Sequence, residues 1–291
     1  MDLFRRIVRA GSFAAAARDL GASPAFVSKR VMVLEKALGG RLFHRTTRSL
    51  TLTEDGEAVF QWVQKILDDV DQMGQVIDKT RAQPRGILRI ATSTGFGRNR
   101  LAPALSEMMR SYPELGIQLE LLDRPVDIVG EGFDVDIRIG GVHEPYLLVK
   151  ALARNWRILC AAPSYLAKAG TPMTLRELGH HTCILIRERD QSGPWRLSGP
   201  HGLESVRPPS ILSANNGEVV HQWGLDGHGI FLRSIWDVAD HIREGRLVHV
   251  LPQYRQDADV HAIYAQRLDR SGRLRVCMQF LQQWFADHPL N

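Results

Sequence analysis

Six apolar residues, Val59, Val63, Ile66, Val70, Met73 and Ile77, recur at spacings of 4, 3, 4, 3 and 4 within residues 53–83. That stretch contains no proline. A seam of this period needs one continuous helix, and thirty residues rising about 1.5 Å each make a rod of about 45 Å. Such a rod cannot bury its own seam, so the spacing predicts that these six residues pack against a second copy of the chain, the alternative being a long helix lying on its own domain. Pro84-Arg85-Gly86 then breaks the helix. The rod divides the chain into a head, residues 1–56, a dimerising linker, residues 57–85, and a body, residues 86–291.

Charge follows the same division. Residues 1–52 carry ten Lys/Arg against three acids, and residues 53–83 carry three against seven. The net charge of the 291 residues is +5, so the head at +7 and the rod at −4 leave only +2 for the body. A basic head on a nearly neutral body suits a polyanionic partner. No apolar run approaches the roughly 18 residues that a membrane span requires, which excludes a membrane partner. The three cysteines, Cys160, Cys183 and Cys277, are widely separated, odd in number and suited to a reducing cytoplasm.

Leu3, Phe4, Ile7 and Val8 lie at helical spacing, and Gly11 ends that first helix. Ser12 caps a second helix containing four consecutive alanines, Ala14 to Ala17, whose short side chains let another helix approach closely. Gly21 turns the chain. Ser23 then caps a third helix with Pro24 at its first position. Phe26 or Val27, Val31, Leu34 and Leu38 form its apolar stripe, leaving Ser28, Lys29 and Arg30 off it. Helix, glycine turn and a second helix with small, hydroxyl and basic residues early on make a helix-turn-helix. Ser23, Pro24, Ala25, Phe26, Ser28 and Lys29 are expected at base edges, with Arg30 on base or backbone. Beyond Gly39-Gly40, Leu50 and Leu52 alternate with Thr51 and Thr53 like a half-buried strand. The short basic segment Arg45-Thr46-Thr47-Arg48 then reads as a wing that contacts phosphates or the minor groove.

The run GSFAAAARDL and SPAFVSKRVMVLEKALGGRLFHRTTRSLTLTEDG resembles the N-terminal domain of LysR-type transcriptional regulators, in order, over most of residues 4–56. The first helix is slightly shorter than is usual there. The resemblance implies a linker-helix dimer reading a pseudo-palindromic operator in double-stranded DNA. It also implies assembly as a dimer of dimers, and it admits RNA polymerase as a contact.

In the body, residues 87–93, 117–123, 133–140, 156–163, 183–187 and 229–235 read as strands. Helices are expected at 99–112, 127–131 and 217–227. This alternation predicts an α/β fold with a largely parallel sheet. GILRIATSTGFGRNRLAPAL, EGFDVDIRIG and GHGIFL resemble landmarks of the LysR-type effector domain. The expected architecture is an α/β body with an all-α winged helix-turn-helix head, a long linker helix and a two-lobed type 2 periplasmic-binding-protein-like effector domain. Lobe I is expected at 86–160 and 256–291, and lobe II at 161–255.

Ligands of open α/β sheets bind at the carboxyl ends of strands. That rule selects Thr92, Ser93, Thr94, Gly95 and Phe96, whose hydroxyls and N–H groups stand at a helix start suited to a carboxylate or phosphate. Their counterparts in lobe II are Ser213, Asn215 and Asn216. Asp123, Gly140, Gly141 and His143 follow strand ends, and Phe231 and Arg233 follow the GHGI turn. The resemblance implies a small-molecule effector among these loops, and the loop chemistry suits a small organic acid.

Other motifs carry less. Gly95-Phe96-Gly97 follows a strand, but Arg100 stands where a dinucleotide fingerprint needs its third glycine. His180, His181 and Cys183 lack a second pair to complete a metal site. No Gly-x-Ser-x-Gly elbow exists, so neither cofactor nor catalysis is expected. Arg187, Arg189 and Arg196 read as a solvated loop face. The rival readings are an enzyme using the head as a clamp, a solute-binding protein and an architectural DNA binder. The first lacks a catalytic constellation, the second a secretion signal, and the third has no use for so large a ligand-type body.

Overall fold

The computed structural model describes residues 1–45, 50–77, 84–141, 147–187, 193–209, 211–265, 268 and 271–290. It forms two compact units, Met1–Ala82 and Gln83–Asn291.

In the first unit, α1 (Asp2–Ala10) stops at Gly11, whose φ of 66° is a left-handed conformation that glycine adopts without strain. Ser12 accepts from the Ala15 N–H to open α2 (Phe13–Asp19). Ser23 accepts from the Phe26 N–H to open α3 (Pro24–Leu38). Strands β1 (Phe43–Arg45) and β2 (Leu50–Leu52) pair antiparallel, with Phe43 opposite Leu52. Thr53 then accepts from the Gly56 N–H as α4 (Glu54–Ile77) begins. The core joins Phe4, Ile7, Ala16, Ala17, Val27, Val31, Leu42 and Phe43. Two of the four consecutive alanines thus form the close α2–α3 contact.

The expectation that the whole α4 seam faces a second chain does not hold at its start. Val63 is only 2% exposed and sits in the head's own core, with Val59 packed against that core. Ile66 is exposed. Phe4, Phe43 and Phe60 supply the apolar surface that claims Val63 before any second chain could. The side chains of Val70, Met73 and Ile77 lie outside the described residues.

In the second unit, lobe I comprises β3 (Gly86–Thr92), α5 (Thr94–Phe96), a π turn (Gly97–Leu101), α6 (Ala102–Ser111), β4 (Leu115–Leu121), β5 (Val135–Ile139) and β6 (Leu148–Ala153). Lobe II runs through β7 (Trp156–Ala161), α7 (Pro163–Ala169), β8 (Cys183–Ile186), the hairpin β9 (Trp195–Gly199) and β10 (Gly202–Val206), and β11 (Leu212–Ala214). It continues with α8 (Gly217–Leu225), β12 (Ile230–Ser234), α9 (Ile235–Arg243), β13 (Val248–Val250) and β14 (Gln256–Asp257). The chain returns to lobe I as β15 (Val260–Tyr264) and ends in α10 (Gly272–Asp287).

Each lobe has its own sheet, ordered β4-β3-β5-β15-β6 in lobe I and β11-β8-β12-β7-β13 in lobe II. Both are mixed rather than largely parallel. β15 runs antiparallel to β5 and β6, and β7 antiparallel to β12, β13 and β14. These reversed strands adjoin the two crossings between lobes, where the chain enters each sheet from the other side. The lobe division expected at residue 160 therefore moves to residues 154–155, because β7 lies within the lobe II sheet, and the return moves to 258–259. Asn155 ties the crossings together. Its N–H donates to Asp259, and its side-chain amide donates to the Ala258 carbonyl and the Ser234 hydroxyl.

Two helical expectations also change. The helix expected from residue 99 begins at Thr94 and passes through the π turn. Only a glycine at 97 permits this, since a Cβ there would strike Leu121 and Thr92. Residues 127–131 form a turn instead of a helix, in which the Asp127 carboxylate accepts from the Gly130 N–H and Arg124 grips Glu131.

Candidate DNA-reading helix and ligand cleft

On α3, Ser23, Pro24, Ala25, Lys29 and Arg30 are exposed and Ser28 is half-buried. Val27 and Val31 alone face the core fully, so the apolar stripe is narrower than expected. Phe26 points outward, 51% exposed, and the Arg30 guanidinium stands over its ring, 5.5 Å from the centroid. One face of α3 thus offers a hydroxyl, an ammonium, a guanidinium and an aromatic edge without disturbing the core. Arg45 ends β1, while its side chain and residues Thr46, Thr47 and Arg48 lie outside the described residues.

In the second unit a cavity of about 660 Å³ opens between the lobes. Ser93, Gly95 and Phe96 border it at the start of α5, as do Asp123, Gly140, Gly141, Asn215 and Arg233. Asp123 organises one wall. Its carboxylate accepts from the Thr94 N–H at 3.0 Å, the Thr94 hydroxyl at 2.7 Å and the side-chain amide of Asn216. Asn216 in turn caps α8, accepting from the Glu218 and Val219 N–H groups. Arg98 pairs with Glu218 at 2.7 Å, a second tie between the lobes. Gly95 lies so near Glu218 that a side chain there would crowd it.

Several expected ligand residues prove to be structural. Thr92 is buried and its hydroxyl donates to the Ile137 carbonyl at 2.7 Å. Phe231 is fully buried beneath α8, filling the space left by Gly224. Thr94, Ser213 and Asn216 support the wall without bordering the cavity. His143 lies outside the described residues.

The cleft also holds groups that motif reading passed over. Arg124, Arg138, Arg157 and Arg187 join Arg233, whereas Asp123 and Asp136 are the only acids on the described wall. Arg187 is exposed in the loop after β8, as expected, and also borders the cavity. Arg196 is exposed on β9 as expected, and Arg189 lies outside the described residues. Arg138 is held by Asp136 at 2.8 Å, and Arg157 reaches the Ile139 carbonyl and Gln256. Trp236, at the start of α9, borders the cavity while its ring packs on Phe96 in lobe I. The sequence signal for Arg138 and Arg157 is a basic residue inside a mostly apolar strand, as in VDIRI and WRILCA.

Of the residues near 181, His181 and Cys183 are buried in the core and His180 is exposed. His181 meets the Tyr165 hydroxyl at 3.2 Å, and burial pushes the Cys183 thiol up to about 12.

Residues 1–57 match the bacterial regulatory helix-turn-helix family of lysR type, and residues 81–286 match the LysR substrate binding domain. The chain belongs to the LysR family of transcriptional regulators. This LysR-type regulator is 48% identical to the HTH-type transcriptional regulator DmlR of Escherichia coli strain K12, over 100% of this chain and 95% of that one. It is 44% identical to the HTH-type transcriptional activator TtdR of the same strain, over 98% and 92% respectively. Among solved structures it resembles CrgA, a LysR-type regulator from Neisseria meningitidis, with TM-score 0.62 and 29% identity over 97% of each chain. It is accordingly a DNA-binding transcriptional regulator with an effector domain, and the enzyme reading falls because its relatives are regulators. No helix among the described residues is long and apolar enough to cross a membrane.

Proposed function

We propose that this LysR-type regulator holds a small organic anion, a carboxylate, in the cleft between its lobes and reads operator DNA through α3. The carrying observation is the cleft's composition, with five arginines against two aspartates on the described wall. Confined between low-dielectric walls, that excess favours a negative ligand far more than the body's small net charge would suggest. Ser93, Gly95, Asn215 and the flanking glycines supply close polar approach, and Arg138, Arg157, Arg187 and Arg233 supply charge.

Ser28, Lys29 and Arg30 meet base edges and backbone, and Arg45 and Arg48 meet phosphate. Two such heads, joined through the exposed part of α4, engage the two halves of a pseudo-palindrome as a dimer or dimer of dimers in the cytoplasm. Residues 1–56, 57–85 and 86–291 serve as reading head, linker and sensor.

Thermal denaturation of the full chain with acetate, malonate and succinate, against their neutral amides, tests the cleft. At a hundredfold excess over Kd a bound anion stabilises by about 2.7 kcal/mol, a readily measured rise in Tm. Equal shifts with the amides, or none with the acids, would refute the reading.

A further inference from the structure

At the start of α3 one large apolar side chain stands where the packing of the head makes no use of it. Val27 and Val31 close the core beneath the helix, and Phe26 lies outside that core and is exposed. Around it Ser23, Pro24, Ala25, Lys29 and Arg30 are exposed and Ser28 is half-buried. The surface that carries the ring is therefore otherwise small, polar or basic, and the ring forgoes the gain of burial within the chain.

The ring is also held in place. The Phe26 N–H donates to Ser23 Oγ at 3.2 Å, and Pro24 at the first helical position fixes its own φ, so the backbone turn beneath the side chain is set. Arg30, one helical turn on, lays its guanidinium over the ring at 5.5 Å from the centroid. A cation covers one face, and the exposed remainder of the ring projects from the helix. Little side-chain freedom is left to lose when a partner meets it.

What such a group can recognise follows from its chemistry. A phenyl ring has no donor or acceptor, so it cannot follow the hydrogen-bond pattern of base edges. The one apolar feature that a base pair displays in the major groove is the C5 methyl of thymine. The Arg30 charge beside the ring draws phosphate close whatever the sequence.

We propose that Phe26 is a specificity-determining residue, which packs on a thymine methyl in the major groove while Arg30 supplies charge beside it. The inference rests on the reading of α3 as the helix that enters DNA. It adds a preference that Ser28 and Lys29 cannot supply, since their hydrogen bonds go to base-edge oxygen and nitrogen atoms that thymine and uracil share. A ring resting on deoxyribose would instead favour every duplex alike.

The test separates those two placements. Random-sequence duplexes enriched on the full chain give a probe, and each thymine of that probe is then replaced singly by deoxyuridine. Competition gel shift between the paired duplexes reads the loss of one methyl group with the hydrogen-bonding edge unchanged. For the wild type, replacement at one or more thymines should weaken binding about fourfold, the effect of one methyl group no longer buried. Phe26→Ala should bind the thymine duplex more weakly and show no difference at those positions. Phe26→Leu, which keeps an apolar contact, should recover part of the difference. Arg30→Ala should bind both duplexes more weakly and keep their ratio. The same thymine-to-uracil ratios for wild type and Phe26→Ala would overturn this inference and leave α3 as the reading helix. No enrichment of any sequence by the folded wild type would overturn the reading of α3, and the role of Phe26 with it.

Discussion

Asn216, at the start of α8 in lobe II, donates its side-chain amide to Asp123 in lobe I, so this side-chain pair joins the two walls of the cleft. The same Asn216 caps α8. Substitution to Asp separates the two roles, because the cap remains while the donor to Asp123 is replaced by a like charge. Asn216→Asp should bind malonate or succinate about five- to tenfold more weakly with little change in Tm. Asn216→Ala should also lose about 1 kcal/mol of stability with the cap. Thermal shift and calorimetry on both variants separate the effects.

Val63 and Ile66 occupy the same helix but different environments. Val63→Ala should cost the head about 2 kcal/mol by leaving a cavity, seen as earlier unfolding by circular dichroism. Ile66→Asp should leave the head folded and weaken self-association by at least about tenfold in sedimentation, since a charge on an exposed seam opposes pairing. A monomer–dimer balance unchanged by Ile66→Asp would show that this part of α4 is not the seam.

On α3, Lys29 and Arg30 are exposed, and neither is in an ion pair among the described residues. Arg30→Ala should weaken binding to operator and unrelated DNA alike. If Arg30 lies on phosphate, the salt dependence of binding loses about one charge of slope. Ser28→Ala should instead lower the preference for operator over unrelated DNA, read by competition gel shift.

Burial pulls His181, His241 and His249 below the ordinary imidazole value of 6.5. Each is then more readily protonated unfolded than folded. Stability from these groups is therefore complete above about pH 6.5 and declines as the pH falls toward their folded values. The body should melt at lower temperature at pH 5.5 than at pH 7.5, and His249→Gln should flatten that decline. A melting temperature that rises on acidification would contradict this assignment.

The elements legible in the sequence are those governed by local hydrogen bonding. Ser12, Ser23 and Thr53 start helices, and Gly11 and Gly39 end them, because each decision involves partners within a few residues. The helix-turn-helix and its basic face follow from these signals. Phe26 shows where they stop, since helical spacing fits it equally to the core or to the DNA face, and only the packing of Val27 and Val31 decides.

The cleft depended on the fold. Ser93, Gly95, Asp123 and Arg233 could be chosen because strand ends and the GHGI turn are marked in sequence, but Arg138, Arg157 and Arg187 come from three separate strands or strand ends. They converge only once two mixed sheets are hinged at Asn155 and the chain crosses between them twice. Sequence alone determined the kinds of element and the basic reading head, because capping and periodicity act over one or two turns. The tertiary structure decided that Val63 of the α4 seam is buried and Ile66 is not, which strands reverse and which arginines share one cavity, because those outcomes depend on packing between residues far apart in the chain.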